Sequence, residues 1–141
     1  MVGYVAKFPS EEWINLFMEA LNINKNYEEA AATWEGDFLF IIEPDDALKE
    51  SSTLYVDLWH GKCRKVDVVT EATKDKYKPE FVLQAGVAVW RKVAEKKIDS
   101  IQAIVTRQLK LTGNMGKVMR AVKAAQELVN CVTQVKTEYP E

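Results

Sequence analysis

The chain has 141 residues, 48% of them hydrophobic and 28% charged. That is the size of one domain, long enough to bury a core without disulfide or metal staples and too apolar for disorder or a collagen-like repeat. Nineteen Lys and Arg against 21 Asp and Glu leave a net charge of -2, so no surplus of cations is available to displace counterions from a phosphate backbone, which argues against nucleic acid as a partner.

Cys63 and Cys131 are the two cysteines, too few for a disulfide framework and in keeping with a reducing compartment. No stretch approaches the roughly 18–20 apolar residues of a membrane span. Met1 to Lys7 lacks the apolar core of a secretory leader, Gly3 is misplaced for myristoylation, and Tyr139-Pro140-Glu141 is not a peroxisomal address. The expected location is the cytoplasm.

Ser10 is a good N-cap, and Glu11 and Glu12 behind it complement the positive end of a helix dipole. Trp13, Ile14, Phe17, Met18 and Leu21 then recur at helical spacing, which predicts a helix with one buried face that ends in the polar run Asn22 to Asn26. Tyr27 to Ala32 is too brief for periodicity to decide between a helical turn and a loop. Trp34, Phe38, Leu39, Phe40, Ile41 and Ile42 read as a strand. It is apolar on both parities, so both of its faces are expected to be covered, one by helices and one by something else apolar. Glu43-Pro44-Asp45-Asp46 is turn chemistry, with carboxylates in an ordinary solvated setting. Thr53 to Trp59 alternates as a second strand, His60-Gly61-Lys62 turns the chain, and Lys65 to Thr70 reads as a more polar edge strand, completing an antiparallel meander.

Pro79 and Glu80 are expected to open a helix with Val82, Gly86, Val89, Trp90 and Val93 on one stripe and Arg91, Lys92, Lys96 and Lys97 toward its end. Ile104 to Leu111 is expected as a further strand entering a turn at Thr112-Gly113. Asn114 then caps a final helix carrying Met115, Val118, Met119, Val122, Ala125, Val129 and Val132 at steps of three and four. There is no solenoid repeat, and the class is α+β in a single domain spanning residues 1–141.

Chemistry is sparse. His60 stands three positions before Cys63, a spacing open to a metal pair or to a thiol and its base, but a structural zinc site wants four ligands and Cys131 is isolated. Gly113-Asn114-Met115-Gly116-Lys117 resembles a phosphate loop only in part, with Leu111 and Val118 where Gly and a hydroxyl are required. No catalytic residue, metal or cofactor is expected. Apolar bulk exceeds what catalysis explains, and the two methionines that open the last helix suit a surface that adapts to varied shapes.

Several segments together carry a resemblance: Ser10-Glu11-Glu12-Trp13-Ile14 with Ala20-Leu21-Asn22, Tyr27 through Thr33-Trp34-Glu35-Gly36-Asp37, Tyr55-Val56-Asp57-Leu58, and Leu109-Lys110-Leu111-Thr112-Gly113-Asn114. In this order they resemble the sterol carrier protein type two (SCP-2) family along nearly the whole chain. The resemblance implies a mostly antiparallel five-stranded sheet with helices covering one face and a hydrophobic tunnel between the layers. It also implies non-enzymatic binding, with transfer, of fatty acyl, acyl-CoA, phospholipid or sterol-like cargo, and brief contact with a membrane. By position, the lining implied is Trp34, Phe38 and Phe40 on the first long strand, Leu58 on the second, Leu109 and Leu111 before the turn, and Met115, Val118, Met119 and Val122 on the last helix. The alternative is an interaction or substrate-presenting module whose apolar surplus forms a homodimer face; a small enzyme built on Cys63 and His60 is the third reading.

Overall fold

The computed structural model describes residues 5–140; Met1 to Tyr4 and Glu141, read above for leader and tail motifs, lie outside the described residues. A short strand β1 (Ala6–Lys7) leads to helix α1 (Glu11–Ile23). Ser10 caps α1 as its composition predicts, its Oγ accepting from the Trp13 N–H at 3.0 Å. The helix buries Trp13, Ile14, Phe17 and Leu21, each stabilising the fold by about 1.5–3 kcal/mol relative to exposure. The segment left undecided by periodicity is a helix, α2 (Lys25–Ala30), started by Asn24, whose side chain accepts from the Tyr27 N–H at 2.8 Å.

The meander forms as expected from β2 (Glu35–Glu43), β3 (Ser52–Trp59) and β4 (Lys62–Val69), with antiparallel pairing throughout and a register shift between Asp57 and Leu58. Three expectations fail beyond it. The helix expected from Pro79 is first a strand, β5 (Phe81–Gly86), and only then a helix, α3 (Val87–Ala94). The residues Val82, Gly86, Val89 and Val93 fit a helical stripe, but Phe81 to Gly86 finds a full parallel ladder on β2, from Phe38 opposite Phe81 to Glu43 opposite Gly86, and tertiary pairing overrides the local period. The strand expected at Ile104 to Leu111 is instead the helix α4 (Ser100–Val105) followed by the short strand β6 (Lys110–Thr112). Asp99 starts α4 by accepting from the Ile101 and Gln102 N–H groups, a capping signal that outweighs the apolar run. The single last helix is two, α5 (Met115–Met119) and α6 (Val122–Val132), because the backbone leaves helical geometry at Ala121, at φ -113° and ψ 33°.

A strand β7 (Thr137–Glu138) pairs parallel with β1. The main sheet has the order β4-β3-β2-β5-β6, antiparallel except for the central β2–β5 pair. Helices lie over the face that carries Phe40, Ile42, Leu54, Val56 and Leu58, all buried in one cluster with Trp13, Ile14, Phe17 and Leu21. The other face is not covered by an apolar layer. Leu39, Ile41 and Val82 are only half-buried there, and the Tyr77 ring stacks on Tyr55 with centroids 4.0 Å apart while their hydroxyls donate to Asp67 and Asp37.

Two details correct the reading of the turns. Asp45 is no ordinary turn carboxylate: although desolvation works against its charge, N–H groups of Ala47, Ala88, Leu48 and Val87 hold its pKa below the usual range, so a residue remote in sequence caps α3. The hairpin turn has His60 at φ 49° and Gly61 at φ 78°, and a Cβ on Gly61 would sit 2.5 Å from the Glu28 carbonyl oxygen. The Gly61→Ala substitution is therefore expected to cost about 1–3 kcal/mol of folding stability. Urea unfolding checks it, and an unchanged midpoint contradicts the seating of this turn against α2.

Candidate functional site

Sheet and helices do not meet side chain to side chain everywhere. A cavity of about 140 Å³ lies between them. Its sheet wall is Phe38, Phe40, Leu58 and Leu83, with Trp34, expected on the strand, standing just before β2. Trp13 and Phe17 of α1 and Tyr27 of α2 face them, with Trp90, Val93 and Ala94 of α3, Ile101 and Ile104 of α4, and Leu109. Val118 of α5 and Ala121, Ala124, Ala125, Leu128, Val129 and Val132 in and before α6 complete the helical wall, and Phe8 and Tyr139 flank it.

Aromatic rings form two tracks along this space. Trp34, Phe38, Phe40 and Trp90 follow one another at centroid separations of 5.9, 5.8 and 5.4 Å. Tyr139, Phe8, Trp13 and Phe17 follow at 5.6, 4.7 and 5.2 Å. Rigid rings on one side and small alanines on α6 on the other leave a gap that rotamer changes cannot close cheaply. The three indole N–H groups do not serve the cavity. Trp13 donates to Thr137 Oγ1 at 2.9 Å, Trp34 to the Gly36 carbonyl at 3.0 Å, and Trp90 to the Ala85 and Ile41 carbonyls at 3.0 and 3.2 Å. Their polar edges are consumed by the scaffold, which leaves ring faces for a guest.

Of the ten residues implied as lining, Trp34, Phe38, Phe40, Leu58, Leu109 and Val118 border the cavity. Leu111 and Met119 pack instead in the second core cluster with Phe81 and Ile104, while Met115 and Val122 are 42% and 38% exposed. The break at Ala121 interrupts the stripe, and of the α5 residues only Val118 borders the cavity, whereas α6 presents Ala124, Ala125, Leu128, Val129 and Val132 to it. Trp13, Phe17, Tyr27 and the alanines of α6 went unread as lining. Their only signal is a run of small residues on a helix facing large aromatics.

The Cys63 and His60 pair is not assembled. His60 is exposed, with Nε2 2.5 Å from Glu35 Oε2, whereas the Cys63 thiol is buried and directed at the Lys65 carbonyl at 3.7 Å. Burial pushes the Cys63 pKa up to about 12 and that of Cys131 up to about 11, the opposite of what a thiolate nucleophile needs. Among the described residues no group of three His, Cys, Asp or Glu is arranged to hold a metal ion.

The mixed sheet, its helical layer and the hydrocarbon-lined interior define a small α+β binding domain. Residues 14–126 match the profile of the SCP-2 sterol transfer family, and the chain belongs to that family, one of lipid binding and transfer. Among solved structures it is similar to a sterol carrier protein 2, at 29% identity and TM-score 0.77 over 89% of this chain and 97% of that one. It is also similar to a conserved hypothetical protein, possibly sterol carrier protein, from Thermus thermophilus, at 30% identity and TM-score 0.81 over 92% and 90%. Apo sterol carrier protein 2 from Yarrowia lipolytica shares the fold, at 18% identity and TM-score 0.57 over 94% and 98%. No curated protein sequence matches the chain.

Both thiols titrate above their unfolded value of 9.0, so the folded state holds protons that the unfolded chain releases. Their contribution is whole below pH 9 and is lost as pH rises toward 11 and 12. Urea midpoints are expected to fall across that alkaline window, and less steeply in Cys131→Ala; a flat profile contradicts burial of the thiols.

Proposed function

We propose that the cavity holds the hydrocarbon part of a lipid, of fatty acyl, acyl-CoA, phospholipid or sterol-like type, and that the protein binds and passes on this cargo without covalent chemistry. The observation that carries the reading is a cavity walled by ring faces and aliphatic groups whose neighbouring indole donors are all engaged elsewhere. Family membership supports it, as does the name of the sterol carrier protein that the chain resembles at 29% identity.

The energetics are sufficient. Burying about sixteen methylenes at about 0.8 kcal/mol each yields roughly 13 kcal/mol gross, from which the costs of immobilisation are subtracted. At about 140 Å³ the cavity resembles a dry apolar void of about 150 Å³ that admits a benzene-sized guest. The sixteen-methylene figure applies to a chain admitted as the helical layer moves outward, the indoles keeping their tethers. The way in that fits is a surface groove lined by Val5, Lys7, Pro9, Leu48 and Arg91, because it shares Phe8 and Tyr139 with the cavity. Tyr139 is half-buried at the edge of the core, between the Phe8 ring at 5.6 Å and the Arg91 guanidinium at 5.0 Å, where its side chain separates groove from cavity.

Titration of the delipidated protein with a fluorescent fatty acid tests the proposal. The wild-type chain is expected to bind the probe, and Ala125→Phe, which fills the cavity for an overpacking cost of about 1–3 kcal/mol in stability, to weaken binding by about tenfold or more while the circular dichroism spectrum is preserved. A wild-type protein with no affinity for the probe defeats the proposal. Stopped-flow displacement addresses the route: Tyr139→Ala is expected to release the probe several-fold faster, and an unaltered off-rate places the way in elsewhere.

A further inference from the structure

In a largely apolar wall, one fully enclosed residue carries a polar group with no partner among the described residues. Tyr27 borders the cavity and is 1% exposed, and its hydroxyl makes no hydrogen bond with any described residue. No buried side-chain nitrogen or oxygen sealed within the described protein lacks a partner. An unbonded hydroxyl on so enclosed a ring therefore opens onto the internal space. Its situation is the reverse of the three tryptophans, whose donors are all turned into the scaffold.

Few polar groups are at hand to hold a water there. A buried water is held by two to four polar partners, and the other hydroxyl-bearing residues of the lining, Ser100 and Tyr139, are only half-buried. An unmet hydrogen bond in a low-dielectric interior is costly, so a guest that brings an oxygen to Tyr27 gains what a pure hydrocarbon does not. The lining holds no Lys, Arg or His, and an ionised head group there would lose its hydration with no counter-charge. Burial, with Cys63 and Cys131 nearby, raises the Tyr27 pKa far above its ordinary value, which keeps the phenol protonated as both donor and acceptor.

We infer that Tyr27 Oη is a specificity-determining anchor for an uncharged oxygen on the cargo, so that the lipid held there is an alcohol, a carbonyl compound or an un-ionised acid. This deepens the proposed lipid-binding role and rests on it. An ionised carboxylate and a phosphate ester are excluded from the surroundings of this hydroxyl.

Equilibrium dialysis of the delipidated full chain with 1-decanol and with 1-bromodecane, equal in chain length, separates the two claims. Wild-type protein is expected to prefer the alcohol by about fivefold, the size of one net hydrogen bond. Tyr27→Phe is expected to abolish the preference, so that the variant binds the two probes alike. In isotopically labelled wild-type protein, the Tyr27 Cζ resonance is expected to move with 1-decanol and not with 1-bromodecane, a readout that needs no variant. Equal wild-type affinities, a preference that survives in Tyr27→Phe, or a Cζ resonance indifferent to the alcohol overturns the anchor while leaving the lipid-binding reading intact. Failure of both probes to bind wild-type protein overturns the two together.

Discussion

The indole of Trp90 donates one N–H to two carbonyls at once, Ala85 on β5 and Ile41 on the neighbouring strand β2. This bond joins α3 to the one parallel pair in the main sheet and fixes which part of the ring meets the interior. Were the ring turned over, a second donor would join the Tyr27 hydroxyl at the cavity, and a hydrocarbon guest would leave it without a partner. Trp34 and Trp13 are tied in the same manner through Gly36 and Thr137. The hollow between the layers is thus a product of polar bonds at its periphery: the rings are held by their edges and cannot pivot to fill the space that their faces enclose.

Legibility along the chain follows how local each signal is. Helix α1 and the meander were readable because Ser10, the spacing of Trp13 to Leu21, and the alternation in Thr53 to Trp59 are local features that the tertiary structure leaves in force. Strand β5 was not, since Val82 and Gly86 share a helical stripe with Val89 and Val93 and only the ladder to β2, some forty residues earlier, decides for extended backbone. Periodicity also ran straight through Arg120 and Ala121, where nothing in composition marks the break that separates α5 from α6. The aromatic half of the cavity wall was visible as surplus bulk at Trp34, Phe38 and Phe40. The other half was silent, because Ala121, Ala124 and Ala125 line a void by what they lack, and Tyr27 looked like any tyrosine until its surroundings were known.

The two faces of the sheet show how one strand serves different solvents. On β2, Phe38, Phe40 and Ile42 face the helices, while Leu39 and Ile41 stay half-buried on the outer side. There the segment after β4 lays Tyr77 over Tyr55, and the hydroxyls end on Asp67 and Asp37. An apolar strand is thereby finished with phenols whose tips carry the polarity, which limits the greasy area left on that side.

The parallel pairing of β1 with β7 is only two residues long on each side, and Ala6 and Phe8 hold it through bonds to the Lys136 and Glu138 carbonyls, both 2.9 Å. Short terminal pairings of this kind open at far lower free energy than a central strand. Because Phe8 and Tyr139 adjoin this clasp and also line the cavity wall, the cavity's seam coincides with one of the fold's shortest pairings. On the proposed function, loosening of that clasp and release of a cargo are one event, achievable while the five-stranded sheet stays whole.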